Sequence, residues 1–443
     1  MAVKVDISDG RFIFAPEINE LTSKWGLYAI PRMWKEPSGD LIVRFNGEED
    51  CSDTNMMFAA PNLYFKSQNN GKTWSEINGG DKLYSVKKLH GITSPYLKLK
   101  DGSFIAIEEK AEIKPITGLI PKKMFEVPGL SVIEELKIPA PDVKVSAYRY
   151  GDIPDECKGI ELLKYNSNGE LIERMPVIID FPEREVLVNT EAYVNGIFIK
   201  VEQYIKPFIF KNPYFSSMTE LPDGTVVALS YGQHPDVNDR YCPVVYLLES
   251  KDKGITWHKR GVVASDKEKV PFGYSGDGNE MSLTRTTDGT LLCAMRMEMS
   301  LNPDVAKPIC DTMVAASYDN GYTWETPKSV ADSSVTPQIV ALDNHIVILV
   351  YGRPGVHFKI SEDDGKTWSV AHSIIGKTLA EERQTGRKDS DIKYYDTCSY
   401  SNTFVEKISG NSVVVLYNDL KYAEDETRHK AAYVKQITID KIV

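Results

Sequence analysis

Four side chains that could carry chemistry lie at the ends of strands that the sequence predicts. Glu280 and Tyr400 stand near the starts of such strands, whereas Arg296 and Arg353 stand at the ends of others. Buried strands normally exclude charged groups, so their occurrence together at strand ends calls for a functional explanation. Carboxylates and phenols exchange protons, and guanidinium groups bind carboxylates. We therefore interpret these four residues as candidates for one site.

The elements that must position these residues are six copies of one unit. Each copy has a strand, a turn of the Asp-Gly type, and a strongly apolar second strand, which together predict a β-hairpin. The start of the first strand and the end of the second then lie at the same end of the hairpin. The six copies are "YAIPRMWKEPSGDLIVRF", "SPYLKLKDGSFIAIEE", "SSMTELPDGTVVALSYG", "EMSLTRTTDGTLLCAMR", "TPQIVALDNHIVILVYG" and "SYSNTFVEKISGNSVVVLYN".

A second repeat, in a different phase, ends on a tryptophan. It reads Ser-x-Asp/Asn-x-Gly-x-Thr-Trp and occurs as "SQNNGKTW", "SKDKGITW", "SYDNGYTW" and "SEDDGKTW", so that four of the six tryptophans occupy one motif position. The glycine supplies a positive φ, and the Asp or Asn side chain can bond to nearby backbone N–H groups. We predict a hairpin whose tryptophan folds back onto it. "YNSNGELI", from Tyr165 to Ile172, is a degenerate copy.

Together the two repeats predict an all-β fold built as a six-bladed β-propeller. Each inner hairpin is followed by an outer pair of strands, which gives six four-stranded units. We treat residues 1–443 as a single domain. The second unit is overlong, and residues 110–215 are interpreted as a large insertion together with the outer strands of blade two.

Composition excludes several classes of function. The chain of 443 residues has 52 basic and 63 acidic residues, and a net charge of −11 argues against nucleic acid as a partner. No apolar stretch has membrane-spanning length, so we expect a cytoplasmic protein, or a secreted one after removal of a leader. The six cysteines are scattered and are expected to be free thiols. The histidines show no ligand spacing, and we expect neither a metal nor a cofactor. The oligomeric state stays open.

The tryptophan-ended repeats on a propeller resemble the Asp boxes of sialidases (neuraminidases) and their BNR-repeat relatives. The segment "GNEMSLTRTTDGTLLCAMR" resembles that family's Glu-to-Arg segment, which implies that Glu280 is a base and Arg296 a carboxylate-binding arginine. The resemblance assigns Arg353 a similar role and makes Tyr400 the nucleophile. The acid/base aspartate is expected within "NGEEDCSDTNMM", with Asp53 first and Asp50 second.

These assignments imply a retaining glycoside hydrolase that removes a terminal, anionic sugar from a glycan. Tyrosine replaces the usual carboxylate nucleophile, because a charged nucleophile would be repelled by a substrate carboxylate at the reacting carbon. The neighbouring glutamate takes the phenol proton, arginines bind the substrate carboxylate, and the aspartate protonates the leaving oxygen.

The sequence departs from the sialidase pattern at two positions. Ala29 stands where the family has an arginine before Ile-Pro, and Asn418 stands where the family has a glutamate that supports this arginine. Arg32 and Arg44 lie nearby and could substitute in substrate binding. The alternatives are therefore a non-sialidase glycosidase or polysaccharide lyase on the same propeller, and a non-catalytic carbohydrate-binding propeller.

Overall fold

Six β-sheets arranged in a ring form the main body of the described structure. The computed structural model describes residues 3–14, 25–27, 32–46, 48–49, 62–77, 96–109, 120–127, 143–152, 160–180, 185–189, 191–194, 197–200, 217–235, 241–265, 278–297, 311–352, 354–388, 403–425 and 428–442. The sheets follow one another along the chain as blades one to six. The predicted all-β, six-bladed propeller with an insertion in blade two is confirmed. The treatment of residues 1–443 as one domain stays a prediction.

Blade one is built from strands near the N-terminus. The first eight strands are β1 (Val3–Ile7), β2 (Arg11–Phe14), β3 (Trp25–Leu27), β4 (Arg32–Lys35), β5 (Leu41–Asn46), β6 (Glu48–Glu49), β7 (Asn62–Ser67) and β8 (Ser75–Glu76). The blade has the order β4-β5-β7-β8, with β4 and β5 as its inner hairpin, and β3 pairs with β6 beside it.

Blade two carries the insertion. Its region contains β9 (Leu97–Lys98), β10 (Phe104–Glu109), β11 (Lys123–Val127), β12 (Val143–Arg149), β13 (Ile160–Tyr165), β14 (Leu171–Pro176), β15 (Ile178–Asp180), β16 (Glu185–Asn189), β17 (Glu191–Val194) and β18 (Ile197–Lys200). The blade has the order β9-β10-β13-β14. The inserted residues form a separate sheet, β11-β12-β16, and a β17-β18 pair, with a 3₁₀ turn at Tyr150–Asp152.

The other four blades follow in regular succession. Their strands are β19 (Met218–Glu220), β20 (Val226–Pro235), β21 (Tyr241–Ser250), β22 (Thr256–Ser265), β23 (Gly278–Arg285), β24 (Leu291–Met297), β25 (Asp311–Ser317), β26 (Lys328–Ala331), β27 (Val335–Ala341), β28 (Val347–Gly352), β29 (Val356–Ser361), β30 (His372–Ile375), β31 (Phe404–Ser409), β32 (Ser412–Asp425) and β33 (Arg428–Lys441). Helix α1 (Leu379–Gln384) follows blade five and begins with a capping box. Blade three also takes β15 as a parallel edge strand beside β22.

The N-terminal strand closes the ring. Strand β1 pairs antiparallel with β33, from Val3 opposite Lys441 to Ile7 opposite Ile437, and so becomes the outermost strand of blade six. Strand β2 also pairs with β33. Blade six is thus completed by residues from the opposite end of the chain.

The hydrophobic core of the described residues is divided into six clusters, one at each junction between neighbouring blades. Val414 and Leu416 of blade six, for example, pack with Met33 and Val43 of blade one. The remaining clusters join blades one and two, two and three, three and four, four and five, and five and six. The strands are apolar on both faces because each sheet is covered by a blade on either side. Within the described residues, no helix is long and apolar enough to cross a membrane.

The four tryptophan repeats form turns in which the serine and the Asp or Asn side chains make the same hydrogen bonds. In blade three, Ser250 Oγ donates to Asp252 Oδ1 (2.7 Å) and accepts from the Gly254 N–H (2.8 Å). The Thr256 N–H donates to Asp252 Oδ1 (2.8 Å), and the Trp257 indole N–H donates to the Gly254 carbonyl (2.8 Å). Burial alone would raise the pKa of Asp252, but the hydrogen bonds from Thr256 and Ser250 outweigh it and hold this pKa below its usual value.

Each of these turns contacts the preceding blade. Trp257 is fully buried between blades two and three, and Trp324 lies in the cluster that joins blades three and four. The blade-four glycine, Gly321, lies against Leu247 of blade three, and a Cβ built on it would come within 2.1 Å of that side chain. The tryptophan therefore fills a junction between blades as well as covering its own hairpin. The copy at Tyr165–Ile172 keeps the turn, and its Gly169 lies against Pro37 of blade one, but Ile172, which stands at the tryptophan position, is exposed.

Candidate active site

Four of the predicted site residues lie within the described part of the chain. These are Glu280, Arg296, Arg32 and Arg44. The structure brings Glu280 and Arg296 together in blade four, and Arg32 and Arg44 together in blade one. The other three, Asp53, Arg353 and Tyr400, fall outside the described residues, as do Asp50 and Ala29. Their roles stay predictions.

Glu280 lies in a β-bulge at the start of the innermost strand of blade four. Asn279 pairs with Arg296, and the next regular pair is Ser282 with Ala294, so two residues of β23 oppose one of β24. Glu280 has a φ of +57°, which is uncommon for a residue other than glycine. Bulges of this kind redirect a side chain, and strained backbone of this kind is concentrated at functional sites.

The Glu280 carboxylate is held by two donors. Its Oε2 accepts a hydrogen bond from the Thr336 N–H of blade five at 2.7 Å and lies 3.3 Å from Nη1 of Arg296. The side chains of Glu280 and Arg296 are 23% and 20% exposed, so the pair is accessible at the end of the blade. Among the described contacts only Oε2 is engaged. Oε1 is therefore available to accept a proton from a ligand or a neighbouring hydroxyl group.

Thr336 occupies the same position in blade five that Glu280 occupies in blade four. It also lies in a bulge, between the pairs Val335–Gly352 and Gln338–Val350, and has a φ of +44°. The inner strands of the two blades are joined below this point. The Ile339 N–H donates to Ser282 Oγ at 3.1 Å, and the Ala341 N–H donates to Thr284 Oγ1 at 2.9 Å. These two hydrogen bonds between the blades fix the position of the Thr336 N–H, which donates to Glu280.

The same network continues into blade six. Thr403, which is fully buried, donates from Oγ1 to the Thr336 carbonyl at 3.3 Å. Thr403 follows Tyr400 by three residues, a separation of at most about 10 Å of extended chain. A line of contacts therefore runs from Arg296 through Glu280 and Thr336 to the strand that begins just after the predicted nucleophile.

Blade one presents two arginines side by side. Arg32 pairs with Arg44 across β4 and β5, and Arg44 pairs with Tyr64 across β5 and β7, so all three side chains are on one face of the sheet. Burial and the positive charge of Arg32 lower the pKa of Arg44 to about 10, although Tyr64 acts in the opposite direction. When pairs are counted from the inner turn of each blade, the pair of blade four that corresponds to Arg32 and Arg44 is Ser282 with Ala294, which carries no charge.

A buried histidine fixes the turn that follows position 353. His357 is fully buried, and its Nε2 lies 2.9 Å from the Pro354 carbonyl and 3.2 Å from the Lys377 carbonyl. These carbonyls require Nε2 to carry the hydrogen. Burial is the largest influence and lowers the pKa of His357, which favours the neutral ring. Gly355 has a φ of +61°, and a Cβ there would lie 2.8 Å from Nε2.

Sequence reasoning did not assign Thr336, Thr403 or His357 to the site. The sequence places Thr336 at the start of a predicted strand, which puts it at the correct end of blade five but does not identify its backbone N–H as a donor. The bulges that align Thr336 with Glu280 leave no residue-type signal. The signal in the sequence that could have identified His357 is its position as a polar residue within an apolar strand.

The comparisons with known proteins agree with the propeller architecture. Residues 202–407 match the family of BNR repeat-like domains, which confirms the resemblance to BNR-repeat proteins. A protein of unknown function from Dyadobacter fermentans has a TM-score of 0.54 and 16% identity, over 98% of this chain and 99% of that one. This likeness shows the fold alone.

Two enzyme structures are more distant. A sialidase from Streptococcus pneumoniae has a TM-score of 0.45 and 15% identity, over 97% of this chain and 70% of that one. An α-L-arabinanase from Penicillium chrysogenum, complexed with arabinobiose, has a TM-score of 0.44 and 12% identity, over 97% of this chain and 98% of that one.

Proposed function

We propose that this BNR-repeat propeller is a glycan-acting enzyme, and specifically a retaining, sialidase-like glycoside hydrolase with a tyrosine nucleophile. The observation that carries the proposal is the Glu280 carboxylate, which a bulge directs to the accessible end of blade four. There Arg296 and the Thr336 N–H hold its Oε2. A carboxylate with one oxygen fixed and the other available is suited to act as a general base.

In the proposed reaction, Tyr400 Oη attacks the anomeric carbon while Glu280 accepts the phenol proton. The bond between the anomeric carbon and the glycosidic oxygen breaks, and Asp53 donates a proton to the leaving oxygen. In the second half, Asp53 takes a proton from water, which attacks the anomeric carbon and releases Tyr400. The proton held by Glu280 then returns to the phenolate, so the protons balance over one turnover.

Arg296 has two roles in this scheme. It fixes the orientation of Glu280, and its other N–H groups can bind the acidic group of the sugar, a role that it shares with Arg353. Electrostatic attraction of an anionic sugar is compatible with the net charge of −11, because a substrate responds to the local field of its site.

Activity on a panel of aryl glycosides tests the proposal. The panel contains an α-sialoside, a β-glucuronide and an α-L-arabinoside, and release of the aryl alcohol is followed together with the configuration of the released sugar. We expect turnover with retained configuration on an anionic member. Tyr400→Phe should abolish turnover, and Glu280→Gln should lower kcat by about 10²–10⁴-fold.

A matched control is Glu325→Gln. Glu325 is a blade-four carboxylate that pairs with Lys328 at 3.2 Å and lies outside the site. This variant should keep wild-type kcat. Products with an unsaturated sugar ring would identify a polysaccharide lyase instead. Glycan binding without turnover on any substrate would identify a binding module.

A further inference from the structure

We infer that Thr403 is a positioning residue for Glu280, and that it acts from blade six through the backbone of Thr336 in blade five. The Thr403 hydroxyl donates to the Thr336 carbonyl, and the Thr336 N–H donates to the Glu280 carboxylate. The effect of this connection on catalysis rests on the proposed function, in which Glu280 is the general base.

Strand β27, the innermost strand of blade five, is bound on one side by side chains of blade four. Alternate residues of β23 accept hydrogen bonds from its backbone N–H groups. The donor and acceptor pairs are Thr336 with Glu280 (2.7 Å), Ile339 with Ser282 (3.1 Å) and Ala341 with Thr284 (2.9 Å). The two acceptors nearer the inner turn are hydroxyl groups, whereas the acceptor at the accessible end is a carboxylate.

On its other side, the same strand is bound by side chains of blade six. Thr403 Oγ1 donates to the Thr336 carbonyl at 3.3 Å, and Lys407 Nζ donates to the Ala341 carbonyl at 3.2 Å. Both ends of β27 are therefore held from two neighbouring blades. Of these two ends, the one at Thr336 contacts a residue of the candidate site.

The backbone at Thr336 is strained and needs these contacts. Its φ of +44° is an outlier for a β-branched residue, and Pro337, which follows it, restricts its conformation further. Strained backbone persists where the surrounding structure determines it by several contacts. Here the contacts are the acceptor Glu280 on the N–H and the donor Thr403 on the carbonyl. Loss of either one lets this residue relax and moves the N–H that orients the base.

Thr403 is suited to this task by its burial and its place in the chain. Its side chain is fully buried, so that water does not replace its hydroxyl as the donor to Thr336. It directly precedes β31 and follows the predicted nucleophile, Tyr400, by three residues. The segment that carries the nucleophile is thus connected to the peptide that orients the base. Displacement of a reacting group by about 1 Å can lower a rate by about 10²-fold.

Thr403→Val tests the inference, because valine keeps the shape of threonine and lacks its hydroxyl. On the acidic aryl glycoside that the wild type hydrolyses, we expect kcat to fall at least tenfold with KM within twofold of wild type, as for loss of an interaction that matters in the transition state. Thr403→Ser, which keeps the hydroxyl, should restore kcat to within threefold of wild type.

Thr284→Val is the matched control. It makes the same chemical change and also removes one hydrogen bond between a neighbouring blade and the backbone of β27, at Ala341. The two valine variants should show similar falls in melting temperature, but Thr284→Val should keep wild-type kcat. Equal falls in kcat in the two valine variants, or an unchanged kcat in Thr403→Val, would overturn the inference. An equal loss of kcat in Thr403→Ser and Thr403→Val would also overturn it.

Hydrogen–deuterium exchange at the Thr336 amide separates this inference from the proposed function. We expect this amide to exchange at least tenfold faster in Thr403→Val than in the wild type, and at the wild-type rate in Thr284→Val. Absence of turnover in the wild type, or unchanged turnover in Glu280→Gln, would refute the proposed function. The exchange measurement then decides whether Thr403 positions the donor to Glu280, and an unchanged rate in Thr403→Val would show that it does not.

Discussion

Replacing Gly321 by alanine tests whether the tryptophan-ended turns hold neighbouring blades together. Gly321 has a φ of +94°, and an added Cβ would lie 2.1 Å from Cδ2 of Leu247 in blade three and 3.3 Å from Cδ1 of Leu291. Both leucines are fully buried, so neither side chain has free space to move into. The substitution therefore combines backbone strain with overpacking between two blades.

Gly39→Ala is a control that separates these two costs. Gly39 has a φ of +91° in the inner turn of blade one, and an added Cβ would meet no atom within 4 Å. It should lose about 1–2 kcal/mol of unfolding free energy from left-handed backbone strain alone. Gly321→Ala should lose this amount and a further 1–3 kcal/mol, on the order of overpacking in a well-packed core.

Urea unfolding of the wild type and both variants measures the difference. The transition midpoint should fall in the order wild type, Gly39→Ala, Gly321→Ala, at an unchanged dependence of the unfolding free energy on urea. Equal losses of unfolding free energy in the two alanine variants would refute the idea that the turn packs tightly against the preceding blade, because backbone strain would then account for the whole effect.

Three further outcomes are expected. Trp257→Ala should lower the free energy of unfolding by about 3–5 kcal/mol. Trp74→Ala should lower it by less, because Trp74 is only partly buried. Chemical unfolding gives the order of the two losses, and a reversed order would contradict the packing argument. Burial raises the pKa of Glu406 to about 8 from its ordinary 4.5, with Lys35 opposing the effect, so the folded state keeps a proton that the unfolded state releases. The contribution of Glu406 to stability should fall as pH rises from about 5 to 8, so unfolding measured at several pH values should show a less negative slope in Glu406→Gln. Burial lowers the pKa of His357, so the contribution of His357 to stability should fall as pH drops below 6.5. This loss should be smaller in His357→Gln, and an unchanged acid slope would show that another group titrates.

The repeating parts of the fold were readable from the sequence because their determinants are local. The Asp-Gly turn and the strongly apolar second strand specify a hairpin such as β19–β20 without reference to the rest of the chain. The tryptophan repeats similarly carry their own turn, since Ser250, Asp252 and Thr256 supply its hydrogen bonds from within eight residues. Six such units with apolar strands then require a ring.

The parts that were not predicted depend on contacts between blades. The donor that holds Glu280 is a backbone N–H from blade five, 56 residues away, and no residue type identifies it. The sheet β11-β12-β16 lies in the insertion, where neither repeat occurs to predict its strands. The sequence shows Arg32 and Arg44 twelve positions apart, and their adjacency follows from the register of β4 and β5, in which they are direct partners.

The pairing of β1 with β33 has a consequence for synthesis of the chain. About 420 residues separate the two strands, so at 5–20 residues per second β1 waits roughly 20–80 s on the ribosome before its partner exists. During that time Val3 and Val5, which pack against the core between blades five and six, have no blade six to cover. The early blades must assemble as an open arc with an unpaired edge, which is the state most exposed to association with other chains. We therefore expect the open arc, rather than any single blade, to be the part of a nascent chain that most needs protection from association.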